Sequence, residues 1–258
     1  KKIVIFTSQH LRHSYLRIYL SNKKGIKVLR SYTEKKSKFK NLKKNQYSHL
    51  RLRDKYESHF FKKFIDNKKD LSNPKKCSRG FISSKTCLNE IDILNPDLII
   101  VFGSSILKGK IIKKYYKKIL NLHLGLSPYY RGSGTNFFPF VNNQLNYVGS
   151  TFMFLDKGID TGEIIHQEKA IINNKTDNIH TIGFKLIKRS IKVFSSLILN
   201  FEKIERKKIR FSKYPRKYYK RSHFDLKSLI RLKINLKRGM IKNYNPQPTK
   251  IITQKFIK

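Results

Sequence analysis

The sequence predicts an α/β protein built on an open, mostly parallel, doubly wound sheet. Short, unbroken apolar runs recur along the first part of the chain, and the longest is LIIVF at residues 98–102. Segments with apolar residues at helical spacing separate several of these runs. Strands that are apolar on both faces and alternate with helices are typical of a parallel sheet covered on both sides. Ligands bind such sheets at the carboxyl ends of the strands, so we expect a site after Phe102, Leu120 and Leu155.

The first part of the chain contains two predicted strands and two predicted helices. KIVIF at residues 2–6 is the first strand, and residues 9–25 follow as a helix that ends at a glycine. IKVLRSY at residues 26–32 is the second strand. Residues 35–48 are polar and basic and are predicted to form a loop. A helix is expected around YESHFFKKFID at residues 56–66.

The middle of the chain continues the alternation. NPDLIIVFGSSIL at residues 95–107 predicts a buried strand that turns at Gly103 into a helix. Further strands are predicted at residues 119–125, 147–155 and 162–172. A long amphipathic helix is expected over residues 176–201, with Thr176 or Asp177 as its N-cap.

Two regions follow from this pattern, a catalytic domain at residues 1–204 and a basic C-terminal extension at residues 205–258. The periodicity weakens from about Glu205, and the only acidic residues of the extension are Glu205 and Asp225. The extension therefore has no obvious core of its own. Its YPRKYYKRSHF segment, which starts at Tyr214, has the charge and tyrosines to contact RNA.

The composition is strongly basic, with 58 lysines and arginines and a formal net charge of +42. We interpret this charge as a drift of composition, because Lys, Asn, Ile, Tyr and Phe are all abundant and the charge is spread along the chain. Nucleic-acid binding is the alternative, and weak affinity for polyanions is expected in either case. No apolar run approaches the ~20 residues of a membrane span. Cys77 and Cys87 form no CxxC pair, so we predict a cytoplasmic protein without disulfides.

Three polar residues make up the candidate catalytic group. Asn121 and His123 are two positions apart, so both side chains lie on one face of a strand, near its end. There an amide can hydrogen-bond a developing oxyanion while an imidazole handles a proton. Asp160, in the glycine-flanked loop LDKGIDTGEI, could return a carboxylate to the same edge and orient the imidazole. No Ser or Cys has a recognised nucleophile setting, which favours direct attack by a substrate amine.

The motifs NLHLGLSPYYRG and GSTFMFLDKGIDTGEIIH together resemble the folate-dependent formyltransferase family. The resemblance is strongest over residues 121–162 and extends more loosely from residue 2 to about 201. It implies that Asn121, His123 and Asp160 are catalytic and that 10-formyltetrahydrofolate is the formyl donor, with no metal. It also implies that the pterin is held around two turns, by Phe102, Gly103, Ile106, Leu107, Asp156, Gly158 and Ile159.

The first turns after these strands suggest where an acceptor amine binds. The candidate acceptor-binding residues are His10, Arg12, His13, Arg131, Gly132, Thr135 and Asn136. His10 and His13 also have the spacing of metal ligands, but no acidic residue or cysteine is nearby in sequence. One departure from the family pattern is Gly125, where a serine is common, so any role of that serine is lost or moved.

Three acceptor classes are familiar for the family. The glycinamide ribonucleotide enzymes resemble one another in a glycine-rich turn after the first strand, but TSQHLRHSY has no glycine. The methionyl-tRNA enzymes carry a second folded domain. The sequence therefore favours a nucleotide-linked amino sugar for surface polysaccharide, with the other two acceptors as alternatives. It leaves open whether the chain forms a homodimer.

Two other classes of function remain possible. A non-catalytic, basic nucleic-acid-binding protein would explain the charge but not the two motifs. A dinucleotide-binding oxidoreductase would fit the fold class, but GxGxxG is absent after the first strand.

Overall fold

The computed structural model describes residues 1–36, 41–205 and 216–257. The strands are β1 (Lys2–Ser8), β2 (Lys27–Glu34), β3 (Pro74–Cys77), β4 (Leu98–Phe102), β5 (Ile119–His123), β6 (Tyr130–Gly132), β7 (Gly149–Phe154), β8 (Ile164–Lys169) and β9 (Lys217–Tyr219). The helices are α1 (Leu11–Ser21), α2 (Lys44–Asp66), α3 (Lys85–Leu94), α4 (Lys110–Lys114), α5 (Phe138–Val141), α6 (Ile179–Leu199) and α7 (Leu226–Lys237).

Seven of these strands form one open sheet in the order β3-β2-β1-β4-β5-β7-β8. The first five in this order pair in parallel, whereas β7 runs antiparallel to both of its neighbours, β5 and β8. The prediction of an open, mostly parallel sheet is therefore confirmed, with an antiparallel edge.

Helices cover both faces of this sheet. Ile3 and Ile5 of β1 pack in a core with α1, α2 and α6, and the intervening Val4 and Phe6 pack in a second core with α3 and α4. All four side chains are fully buried. This two-sided burial explains why β1 appears in the sequence as an unbroken apolar run. Within the described ranges, no helix is long and apolar enough to cross a membrane.

Three local predictions are wrong. The loop predicted at residues 35–48 ends earlier, because α2 begins at Lys44; residues 37–40 lie outside the described residues. No helix starts at Gly103: residues 103–109 form a non-helical turn, and α4 begins at Lys110. The N-cap of α6 is Asn178, whose side chain accepts hydrogen bonds from His180 N and Thr181 N at 2.9 and 3.1 Å.

Much of the C-terminal extension packs on the catalytic region. Strand β9 pairs in parallel with β6, in a separate two-stranded sheet. Leu229 and Leu232 of α7 are buried, and Leu232 shares a core with Leu126 and Tyr130 of the predicted catalytic turn. Residues 206–215, with the start of the YPRKYYKRSHF segment, lie outside the described residues. The boundary at residue 204 stays a prediction.

Candidate active site

Strand β5 presents Asn121 and His123 at the carboxyl end of the sheet. Asn121 lies opposite Val101 of parallel β4, and His123 lies opposite Thr151 of antiparallel β7. A cavity of ≈ 1180 Å³ opens at this edge, and both side chains line it. His123 is buried, whereas Asn121 is half-buried and has no side-chain hydrogen bond to the described part of the chain. The Asn121 amide is thus available to a ligand in the cavity.

Asp160 reaches His123 from a tight loop after β7. The Asp156 carboxylate holds this loop by accepting hydrogen bonds from Gly158 N and Thr161 Oγ1. Asp160 itself has the left-handed φ of +52°, which aspartate tolerates better than most residues. Its Oδ1 lies 3.3 Å from His123 Nδ1, and its Oδ2 accepts a hydrogen bond from Gly132 N at 2.8 Å.

Both ring nitrogens of His123 have a hydrogen-bond acceptor close by. Its Nε2 lies 3.1 Å from the carbonyl oxygen of Tyr130, which can only accept a hydrogen bond. Its Nδ1 faces the Asp160 carboxylate. These two contacts hold the imidazole at both ends and fix its orientation at the cavity.

Gly125 leaves room that a side chain would fill. A Cβ at this position would lie 2.6 Å from His123 Nε2 and 2.7 Å from Thr135 Cβ. The hydroxyl of buried Thr135 donates to the carbonyl of Leu124 and occupies the adjoining space. A serine at position 125 would therefore displace either the imidazole or Thr135, which accounts for the departure from the family pattern.

The two turns expected to hold the pterin line the same cavity. Gly103 has a φ of +68°, and Leu107 is buried beside the exposed Ile106. On the other side lie the exposed Gly158 and Ile159. All seven residues predicted to bind the donor belong to the cavity wall, which combines main-chain polar groups with apolar side chains. Such a wall suits a flat ring with a hydrogen-bonding edge.

A comparison of the sequence with protein families decides the relationship. A family model described as formyl transferase matches residues 2–198, which is more than half of the chain. The chain belongs to the formyl transferase family. The resemblance identified in residues 121–162 is therefore confirmed.

Curated relatives of this formyl transferase chain include methionyl-tRNA formyltransferases. The protein of Finegoldia magna is 28% identical over 129 residues, which are 47% of this chain and 40% of the relative. That of Thermodesulfovibrio yellowstonii is 35% identical over 115 residues, 43% of this chain and 35% of the relative. The matched region thus spans well under half the length of these relatives.

Solved structures of formyltransferases share the fold. A sugar N-formyltransferase from Shewanella sp. FDAARGOS_354 superimposes with a TM-score of 0.57 at 15% identity, covering 90% of this chain and 86% of that one. A phosphoribosylglycinamide formyltransferase from Anaplasma phagocytophilum gives 0.56 at 12% identity, covering 85% and 98%. At these identities the likeness concerns the fold alone.

The residues predicted to bind the acceptor divide into two groups. His10, Arg12, His13, Gly132, Thr135 and Asn136 line the cavity, whereas Arg131 does not. Asn136 is the most suggestive of them, because neither of its buried amide atoms has a hydrogen-bond partner among the described residues. A buried amide without partners is costly, and a ligand in the cavity could satisfy it.

Protein contacts already occupy two of these side chains. Arg12 Nη1 pairs with the buried carboxylate of Glu57 at 2.8 Å. His13 Nδ1 lies 2.8 Å from Ser8 Oγ, and its ring packs edge-on against Phe102. Burial, followed by the charge of Arg12, lowers the pKa of His13 well below its usual range. His13 is therefore a neutral packing residue beneath the turn at Gly103. The binding roles of all seven residues stay predictions.

The sequence analysis missed Glu34, at the carboxyl end of β2. This fully buried carboxylate accepts hydrogen bonds from Gly80 N and Ser105 N, both at 2.6 Å, and from Ser105 Oγ at 2.8 Å. It ties the turn at residues 103–107 to the loop after β3. Nothing in the sequence around Glu34 indicates this role, because its three donors are distant in sequence.

We expect Glu34→Gln to raise the KM for the formyl donor about tenfold, with less effect on the KM for the acceptor. The amide NH₂ would face Ser105 N or Ser105 Oγ and break hydrogen bonds to a charged group, each worth about 1.5–3 kcal/mol. Steady-state kinetics with each substrate varied in turn measures the effect. Glu163→Gln, the same change at an exposed site outside the cavity wall, is the control. An equal rise in both KM values would contradict this positioning role.

Proposed function

We propose that this protein transfers a formyl group from 10-formyltetrahydrofolate to the amine of a nucleotide-linked amino sugar. The observation that carries the proposal is the convergence of Asn121, His123 and Asp160 at one end of the cavity. The distance of 3.3 Å between His123 Nδ1 and Asp160 Oδ1 supports it most directly. Membership of the formyl transferase family supports the reaction class.

The proposed chemistry assigns one task to each of the three side chains. The acceptor amine attacks the formyl carbon, and its lone pair forms the new C–N bond. Asn121 Nδ2 donates a hydrogen bond to the formyl oxygen as negative charge develops on it, and His123 Nε2 transfers its hydrogen bond from the Tyr130 carbonyl to the same oxygen. The amine then loses a proton, and the folate nitrogen gains one as its bond to the formyl carbon breaks. Asp160 orients His123 and assists this proton transfer through water.

The C-terminal extension contributes Tyr218, Tyr219, Lys220 and Arg221 to the cavity wall, where they would contact a small acceptor. Its described residues pack against residues 126–132 through β9 and α7. The names of the curated relatives favour methionyl-tRNA, which remains the second candidate. We propose the cytoplasm as the compartment, since both the folate donor and these acceptors would be available there.

The decisive experiment is release of tetrahydrofolate from 10-formyltetrahydrofolate by the purified protein. A nucleotide-linked 4-amino sugar, glycinamide ribonucleotide and methionyl-tRNA are offered separately. We expect turnover with the amino sugar only. Turnover with another acceptor would refute the amino-sugar assignment, and failure of the protein to bind the folate would refute formyl transfer.

The net charge of +42 favours a candidate of another class, a non-catalytic nucleic-acid-binding protein. That function predicts RNA binding that weakens steeply with salt and is unaffected by Asp160→Asn. An electrophoretic mobility assay at two salt concentrations measures this binding, and the assay of tetrahydrofolate release separates the two functions, because only the enzyme turns over the donor.

A further inference from the structure

Basic side chains from four separate segments line the cavity. They are Lys36 after β2, Arg53 on α2, Arg79 after β3 and Arg221 after β9. Arg53 pairs with its sequence neighbour Asp54, whose side chain is mostly exposed. Arg79 has no acidic partner and no hydrogen bond in the described part of the chain. Among the described residues, the cavity wall thus carries seven lysine and arginine side chains, counting Arg12, Arg51 and Lys220, against the three carboxylates of Asp54, Asp156 and Asp160.

These charges act on one another and on nearby histidines. The pKa of Arg221 is lowered by burial and by the charge of Arg79, so the two guanidinium groups repel each other. Burial, followed by the charges of Arg12, Lys36 and Arg53, lowers the pKa of His10 to about 3. Bringing like charges together is unfavourable unless an anion lies between them.

The charge of Arg53 acts on three histidine rings of the cavity wall, those of His10, His49 and His180. Burial and the charge of Arg53 lower the pKa of His49 to about 4, and the pKa of His180 is also about 4 for the same reasons, with His49 contributing. These two rings pack 5.3 Å apart. Neutral at physiological pH, His10, His49 and His180 add no charge, so the lysines and arginines of the wall, which outnumber its aspartates, determine the sign of the potential.

We propose that Arg79 and Arg221, assisted by Arg53, form an anion-binding subsite for a phosphate or carboxylate group of a substrate. The guanidinium group binds both kinds of oxyanion through two parallel hydrogen bonds. This inference rests on the proposed function, under which two substrate groups carry such an oxyanion. One is the phosphate groups of a nucleotide-linked acceptor, and the other is the glutamate carboxylates of the folate donor. Arg79 lies next to Gly80, and Glu34 links Gly80 to the turn at residues 103–107, which is expected to hold the donor. Arg221 belongs to the C-terminal extension.

Equilibrium binding without turnover tests this subsite and identifies its ligand. Calorimetry measures the affinity for inorganic pyrophosphate, for tetrahydrofolate and for tetrahydropteroate, which lacks the glutamate. We expect Arg79→Ala and Arg221→Ala each to lower the affinity for one of these anionic ligands at least tenfold. If the variants lose affinity for pyrophosphate, the ligand of the subsite is the phosphate groups of the acceptor. If tetrahydrofolate no longer binds more tightly than tetrahydropteroate, the ligand is the glutamate carboxylates of the donor.

Arg238→Ala is the matched control, because it removes the same charge from an exposed position outside the cavity wall. It is expected to change each affinity less than twofold. Retained tetrahydropteroate binding verifies that the variants are folded. The proposal would be overturned if Arg238→Ala lowered these affinities equally. It would also be overturned if Arg79→Ala and Arg221→Ala changed the affinity for neither ligand. Because no formyl transfer is measured, this outcome is independent of whether the protein turns over the tested acceptors.

Discussion

Replacement of Asp160 by asparagine is expected to lower kcat for formyl transfer by about two to four orders of magnitude, the usual contribution of general acid–base catalysis. Asparagine adopts the left-handed φ of +52° as readily as aspartate, and its oxygen can still accept the hydrogen bond from Gly132 N. The amide cannot accept a proton, so His123 Nδ1 loses its charged partner. Thermal unfolding should therefore stay unchanged while activity is lost.

Asp66→Asn provides the comparison for this variant. Asp66 lies at the exposed end of α2 and pairs with Lys62, so its replacement should leave kcat unchanged. Stopped assays of tetrahydrofolate release measure both proteins. Full activity of Asp160→Asn would remove Asp160 from the mechanism. If the loss of activity is accompanied by a large fall in Tm, the role of Asp160 is structural.

Among the substitutions proposed here, Gly162→Ala is expected to lower the thermal stability most. A Cβ at Gly162 would lie 1.7 Å from the backbone oxygen of Phe154, where β7 and β8 approach each other. No rotamer relieves a clash with main chain, so the loop that carries Asp160 must shift. Overpacking typically costs about 1–3 kcal/mol, which lowers Tm by roughly 5 °C in a chain of this size. Activity should fall with it, because the distance between Asp160 and His123 changes.

Gly183→Ala is the opposite case within the same chain. Gly183 lies inside α6, and an added Cβ would meet no atom within 4 Å. Alanine is favoured over glycine in a helix by about 0.5–1 kcal/mol, so Tm should rise slightly. Differential scanning fluorimetry of the two variants makes the comparison. A Tm for Gly162→Ala at or above that of the wild type would contradict the close approach.

Predictions from the sequence succeeded where the determinant is local. The buried strands β1, β4 and β5 appear as apolar runs because both of their faces are covered. The two-residue spacing of Asn121 and His123 placed both at the cavity, since side chains alternate along a strand. For Asp160 the glycine-flanked loop suggested a return to the same edge, and the family resemblance added the catalytic role, because no local pattern fixes the distance from a loop to a strand thirty or more positions away.

The predictions failed where contacts between residues distant in sequence determine the local structure. The first turns of α2 are polar because they face solvent and the cavity, so helical periodicity becomes visible only near Phe61, which the core covers completely. The turn after Gly103 resembles a helix start in sequence, but Glu34 holds it open. Asn178 and Asp177 are both good caps, and only the backbone geometry distinguishes them.

The pairing of β6 with β9 has a consequence for synthesis on the ribosome. Tyr219 accepts a hydrogen bond from Ser133 N through its backbone oxygen, and its ring stacks 3.7 Å from Phe138. Translation delivers residues 121–138 well before Tyr219 emerges. A nascent chain that already contains Asn121, His123 and Asp160 therefore still exposes the face of Phe138 and lacks the strand beside Gly132. The contacts of Tyr219 with the candidate site therefore form late in translation, and until then this apolar surface stays uncovered.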